Sequence, residues 1–364
     1  DSAGKETRAN VHPDETAPEL QTFAVEPTEN AGEIAARLEG RDETGVEQAA
    51  VLIGDQVHLQ ENISGQTEYR TDQRVSLPED TRFQQSSVTA SLADWNGNAT
   101  ESEAETYVRK YDVMEDTRLE VGVNYLLWAG DKFGKCINRA EPNIGRYDDT
   151  ITPEATSKHI DQMQGYGITN VLINFNGTES DRQSVEYFFQ SQLADDIGVR
   201  PIYAVKDYRW APENQDVDLR EDVVPSDMNF IRDNILSREN AFTYEGRPVF
   251  NIWNATAIPW DDGYHSRIME EWGSYAEFTA EIREHLRVDG TDPFIIGGVT
   301  SDATDGFENR KPRVPRFLRE LDGTTTWVGG SAGGEDNQAT WDEVLPYVEE
   351  NYEGHRSFVD NHDM

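Results

Sequence analysis

Between about residues 33 and 111 the apolar positions fall in short alternating runs broken by turn residues, the period of half-buried strands. Gln48–Leu59 (QAAVLIGDQVHL) reads as two strands around a Gly54-Asp55 turn, Phe83–Ala93 as another, and Thr106–Tyr111 as a last one. The first residues, up to about Pro27, mix Asp, Glu, Pro, Thr and Ala without any apolar period, and read as a flexible acidic leader. After Glu120 the rhythm changes. Nearly continuous apolar runs at 121–128, 170–176, 199–207, 248–254, 294–300 and 325–330 alternate with helical patterns at 153–166, 181–197, 227–238, 274–286, 313–321 and 341–351. Six strands alternating with helices predict parallel βαβ units.

These strands stay apolar until their last residues, which turn polar or aromatic. A (β/α)8-type TIM barrel has that asymmetry, because its strand interiors are packed and its chemistry sits at the C-terminal ends. The competing doubly wound sheet wants a Gly-rich phosphate loop after the first strand, and WAGDKFGKC carries neither the dinucleotide nor the P-loop pattern. The expected fold class is therefore α/β: a barrel over 116–364, preceded by a small all-β domain over 31–115 and a leader over 1–30. Six of eight barrel strands are legible, with a seventh beginning at Ser357–Asp360, so the barrel reads as incomplete at its C-terminal end.

The strand ends supply candidate ligand groups: Asn124, Tyr125 and Trp128 from the first, Asn174 and Asn176 from the second, and Lys206, Asp207 and Tyr208, with Trp210 beyond, from the third. The fourth gives Asn251, Trp253 and Asn254, the fifth Thr300, Ser301 and Asp302. Aromatic faces stack on a pyranose, while amides, Lys and carboxylates hydrogen-bond its hydroxyls in defined directions. For each ring, capping the barrel core is the competing role. Asp207 and Asp302 are the expected general acid and base, with an Arg-paired or helix-capping Asp as the alternative.

The segment DWNGNAT (Asp94–Thr100) resembles the final hairpin of bacterial immunoglobulin-like modules, which implies a β-sandwich over 31–115. Asp94, Asn96, Asn98, Thr100, Ser102 and Glu105 also fall at positions 1, 3, 5, 7, 9 and 12 of a calcium loop. The Gly wanted at the sixth position is Ala99 and no helix precedes the loop, so the favoured reading is a plain hydrogen-bonded turn, with calcium as the alternative. No other cofactor is expected.

A second resemblance is carried by GVNYLLW (122–128), by PNIGRYDD (Pro142–Asp149), by HIDQMQGYGITNVLINFNG (His159–Gly177) and by GRPVFNIWN (Gly246–Asn254). Together they resemble glycoside hydrolase family 99 and its WbsX-like relatives, (β/α)8 barrels that cleave internal α-mannosidic bonds with retention. The resemblance implies sugar subsites at Tyr125, Trp128 and Tyr147, and makes Asn174, Asn176, Lys206, Trp210, Trp253 and Asn254 the remaining substrate-binding candidates. The family's Trp-Trp on strand two is Asn174-Phe175 in this chain, and its paired catalytic glutamates have no counterpart before Met364.

Charge narrows the setting. The 364 residues carry 70 acidic and 32 basic side chains, a formal charge of −38, and Lys is scarce, at 7 against 25 Arg. So acidic a surface repels nucleic acid and anionic membranes, and no apolar run approaches the roughly 18–20 residues that span a bilayer. At about 1 M salt the Debye length falls to about 3 Å and the repulsion is screened, so the composition reads as that of an extreme halophile. An acidic protein that binds cations or basic partners is the alternative. No positively charged and then apolar leader opens the sequence, which fits an intracellular protein or one whose signal has been removed; the glycan reading selects the latter, an extracellular or cell-surface place.

Asn62, Asn98, Asn176 and Asn254 begin glycosylation sequons. The histidines show no metal spacing, the single Cys136 reads as an incidental thiol, and GGSAGG lacks the helix that a nucleophile elbow needs. The leading functional reading is a glycan-processing protein acting on a polysaccharide or glycoprotein glycan. A non-catalytic glycan binder is the second reading. A subunit of an extracellular assembly or homo-oligomer, its leader pairing with a neighbour's sheet edge, is the third.

Overall fold

The computed structural model describes residues 15–54, 56–114, 121–125, 152–204, 217–300 and 313–327. The chain divides into two compact units, one formed by residues 1–116 with 154–167, the other by 117–153 with 168–364.

The first unit is built on five antiparallel strands in one hydrogen-bonded sheet: β1 (Glu19–Pro27), β2 (Glu33–Ile53), β3 (Gln56–Ser76), β4 (Gln84–Asp94) and β5 (Ala99–Val108). The all-β expectation holds, as does the turn at Gly54. Strands that read as parts of two sheets form one, because β2 is long and bends. Its first half pairs with β1 and its second half with β4, while β3 follows its other edge throughout. The bend lies between Arg41 and Val46, where the register shifts. There the Asp42 carboxylate accepts from the Thr44 and Gly45 amides, each at 2.8 Å, and a Cβ on Gly45 would meet the Gly65 carbonyl at 2.6 Å. The alternate residues Ile34, Ala36, Leu38, Val88, Ala90 and Leu92 form the core.

Strand β1 corrects the leader expectation for residues 19–27. Leu20, Phe23 and Val25 pack on the core, but a bulge between Leu20 and Thr22 adds a residue to the period. That offset hides the alternation from the sequence. At the Asp94 loop the structure forms a plain hydrogen-bonded turn. Asp94 Oδ1 accepts from the Asn96 and Asn98 amides, each at 2.8 Å, and Oδ2 from Asn98 Nδ2 at 2.7 Å. Residues 99–108 then run out as a strand, with Glu105 held by Gln85 at 2.8 Å, so the six oxygens do not converge. Among the described residues no group of His, Cys, Asp or Glu is placed to hold a metal.

Helix α1 (Pro153–Gly165) belongs to this unit. Its Asp161 is fully buried and accepts from Tyr107 Oη (3.1 Å) and from the Lys110 amide (2.7 Å). One turn on, Gln164 Oε1 accepts from the buried Arg109 Nη1 at 2.7 Å. Burial pushes the Asp161 carboxyl up, against the lowering pull of its two backbone amides and of Arg109.

The second unit contains six parallel strands: β6 (Gly122–Tyr125), β7 (Asn170–Phe175), β8 (Gly198–Ala204), β10 (Arg247–Trp253), β11 (Phe294–Thr300) and β12 (Gly323–Trp327). The short β9 (Thr243–Tyr244) pairs antiparallel with β10. Spatial order follows chain order from β6 to β12. A doubly wound sheet reverses direction at a switch point; this one never does, and its strands curl as part of a (β/α) barrel. The helices are α2 (Glu179–Phe189), α3 (Val224–Ile231), α4 (Ala257–Trp260), α5 (Asp262–Trp272), α6 (Tyr275–Leu286) and α7 (Arg313–Leu318). Helices α4 and α5 occupy a stretch that the sequence left unassigned. The seventh strand expected at Ser357–Asp360 and the helix at 341–351 lie outside the described residues. At the strands' N-terminal edge Asp322 accepts from the Ile295 amide (2.8 Å) and pairs with Arg247 (2.9 Å) and Arg283 (2.7 Å). Burial raises its pKa, but these partners outweigh that and hold the carboxyl below its ordinary range.

The buried carboxylate on α1 gives a direct test. Asp161→Ala removes the carboxylate that accepts from the Lys110 amide and from Tyr107 Oη, a loss of about 2–4 kcal/mol. Denaturant unfolding should show that loss, and amide exchange at Lys110 should accelerate, while Asp161→Asn, which keeps an acceptor, recovers part of both.

Candidate active site

Successive strand residues point to opposite faces, so the parallel register sorts the site. Phe175, Tyr203, Ile252 and Gly297 lie in one row across β7, β8, β10 and β11. This is the helix-covered face. Phe175 stacks on Phe230 of α3, with centroids 5.2 Å apart, and Tyr203 Oη donates to Asp227 at 2.7 Å. Asp227 is fully buried and is paired with Arg182 of α2 at 2.8 Å. Breaking a buried pair of this kind costs about 3–5 kcal/mol. The pair therefore fixes the end of β8 (Gly198–Ala204).

The adjoining row is Asn174, Ile202, Asn251 and Ile296, on the opposite, inner face. Asn174 is half-buried and Asn251 is 4% exposed. The Oδ1 atoms of both are buried and accept no hydrogen bond among the described residues. Ordinarily a buried amide oxygen finds a donor. With one strand between them, the two asparagines stand about 10 Å apart. Trp253 follows one step nearer the strand end on the same face, in register with Ala204, and is half-buried. The inner face thus presents two amide acceptors and an indole within two residues of a strand end.

The other expected ligands are placed differently. Tyr125 pairs in register with Ile173 on the helix-covered face, is 8% exposed, and meets Phe188 of α2 edge-on at 5.6 Å. This corrects its expected sugar subsite: the ring serves the core. Asn176 is tied to the start of α2, its amide donating to Asp181 Oδ2 at 3.1 Å, beside the capping box of Thr178 and Asp181. Asn254 is buried, adopts a φ of 51°, and accepts from Thr256 Oγ1 at 3.3 Å. It makes the turn into α4, so its expected binding and glycan-carrying roles give way to a backbone one. Of the remaining sequons Asn62 is exposed on β3, whereas Asn98 and Asn176 are half-buried. Trp128, Tyr147, Lys206, Asp207, Trp210 and Asp302 lie outside the described residues, as do Cys136 and Ser331, and so does the side chain of Asn124.

No helix among the described residues is long and apolar enough to cross a membrane. No family model matches the chain, and no curated protein matches it. Among solved structures it is similar to a β-glucuronidase from Ruminococcus gnavus in complex with D-glucuronic acid, at 10% identity and a TM-score of 0.35, over 93% of this chain and 51% of that one. It is also similar to a family 39 glycoside hydrolase from Bacteroides cellulosilyticus, at 11% identity and a TM-score of 0.32, over 83% and 56% of the two chains. A xyloglucanase from Bacteroides ovatus, in complex with a heptasaccharide, gives 10% identity and a TM-score of 0.27, over 76% and 65%. The chain spans about half the length of the glucuronidase it matches. Strand order and register carry the fold without these likenesses.

The uncommitted amide predicts an unusual stability result. Asn251→Leu removes no hydrogen bond of its Oδ1 and one desolvated acceptor, so unfolding free energy should hold within about 0.5 kcal/mol or rise. Asn254→Leu forces a branched side chain into left-handed backbone and should lose about 1–2 kcal/mol. Urea unfolding of the two variants separates an amide kept for a ligand from one kept for the fold.

Proposed function

We propose that the chain is a glycan-processing protein of a high-salt exterior, and that its parallel unit is a glycoside hydrolase barrel acting on an α-mannoside-like or related surface polysaccharide. The observation that carries this reading is the inner-face group of Asn174, Asn251 and Trp253. Each buried Oδ1 lacks the donor that a sugar hydroxyl would supply, and the indole offers a flat apolar face to the ring. The preference for mannosides comes from the family 99 resemblance of the strand-one, strand-two and strand-four segments.

Neutral amides orient a sugar but move no proton. In this reading Asp207 and Asp302, at the ends of strands three and five, take the acid and base roles, and Trp128, Tyr147, Lys206 and Trp210 extend the subsites. The carboxylate separation would decide between retention, at about 5–5.5 Å, and inversion, at about 6.5–9.5 Å. The neutrality of the Asn174, Asn251 and Trp253 group also favours a second reading, a barrel that holds glycan without cleaving it.

Incubation of the full chain with α-mannan in molar salt tells these apart. The enzyme reading expects oligosaccharide release that falls roughly a hundredfold or more in Asp207→Asn or Asp302→Asn, with sugar binding retained. Saturable binding without release, unaffected by either Asp substitution and lost in Asn251→Leu, identifies the binder. Neither binding nor release, with α-mannan or with surface polysaccharides of halophilic cells, overturns both.

A high-salt setting has its own signature. With a formal charge of −38, dialysis to about 0.01 M salt lengthens the Debye length to about 30 Å and restores self-repulsion. Helical and near-ultraviolet dichroism should then be lost, and should return on adding salt. Retention of both signals at low salt counts against the halophilic origin.

A further inference from the structure

The chain carries one concentrated run of positive charge. Arg310, Lys311, Arg313, Arg316 and Arg319 fall within ten residues that contain no Asp or Glu. The last three line a cleft of about 440 Å³, together with His265 of α5 and with Ser274 and Tyr275 at the start of α6. That volume suits a small molecule better than a monatomic ion.

The walls are built for negative charge. Arg316 is exposed and makes no ion pair or hydrogen bond among the described residues. Arg313 is anchored by its bond to Asp262, and among the described residues Glu320 is the one carboxylate lining the cleft against three arginines. Tyr275 Oη lies 2.7 Å from His265 Nδ1. Burial pushes that phenol up to about 12, against the pull of Arg313, so the hydroxyl stays neutral. Ser274 Oγ caps the Glu277 amide, while the amides of Tyr275 and Ala276, in the first turn, keep their ordinary outward direction.

Three guanidinium groups on one wall select the ligand's shape. A planar carboxylate is saturated by one or two bidentate forks, whereas the three terminal oxygens of a tetrahedral ester group offer edges to three. The topology adds a place. Helices α6 and α7 run back to the starts of β11 and β12, so their first turns belong to the edge of the sheet where the parallel strands end.

We propose that this cleft binds a tetrahedral oxyanion, the sulfate or phosphate group of an esterified ligand, with Arg316 as its main contact and Arg319 and Arg313, both held by the protein, beside it. This is independent of the glycan reading, because it uses no residue of the inner face.

Titration calorimetry of the full chain, with inorganic sulfate and inorganic phosphate at constant high ionic strength in chloride, tests it without scoring any sugar release. Saturable one-site binding is expected for at least one of the two anions. The double variant Arg316→Gln/Arg319→Gln should weaken it roughly tenfold or more with unchanged circular dichroism, since neither side chain is buried. Arg41→Gln, on the antiparallel sheet, should leave it unaltered. Hexose 6-sulfate and hexose 6-phosphate then show which ester is held more tightly, and a preference for either supports the site. Absence of saturable binding for both inorganic anions, or equal binding by the double variant and the native chain, overturns the proposal.

Discussion

The two-residue period of a parallel strand, held in register across consecutive neighbours, governs the second unit. Once Ile202 is fixed opposite both Asn174 and Asn251, no side chain on those strands is free to choose its face. Phe175, Tyr203 and Phe250 must meet the helices, and they form a run of rings spaced at 6.3 Å. Asn174, Asn251 and Trp253 must meet the interior. A slip of one residue would bury both amides under α3 and send the rings inward. The Arg182–Asp227–Tyr203 network guards against that slip, because its hydrogen bonds form only with Tyr203 on the helix side.

Much of this was legible in the chain. The strands at 170–175, 198–204, 247–253 and 294–300 coincide with apolar runs because a sheet covered on both faces needs near-continuous hydrophobicity. The faces were not legible, because in such a run inward and outward residues look alike. Tyr125 therefore read as a mouth residue although register turns it to Phe188. Asn254 read as a ligand although it makes a turn. Strand β1 escaped because a single bulge defeats a strict period, and α5 because DGYHSRIMEEW mixes its charged and apolar residues. Asn251 was visible as a strand-end amide; that its oxygen goes unanswered is a fact of three dimensions.

The inner face and the arginine-lined cleft differ in their physics. The inner face offers directional acceptors of no net charge, a chemistry that salt scarcely weakens. The arginine-lined cleft depends on charge and gains its selectivity from geometry, since forked donors match an oxyanion in a way that dissolved chloride does not. In a molecule otherwise covered with carboxylates, such a cleft also sits in a field that repels anions from every other direction. Its ligand must therefore be held by close contact, with little help from long-range attraction.

Helix α1 follows β6 and precedes β7 in the chain, yet its Asp161 and Gln164 are committed to β5 and the residues just after it. The antiparallel unit is consequently made from two separate stretches of sequence. No single cut yields both units whole: severing the chain near residue 116 leaves the first without the helix that satisfies Lys110 and Arg109. The pair is bound by inheritance as well as by linkage, and a recombination event that moved the β-rich unit to another protein would have to carry a segment from inside its neighbour.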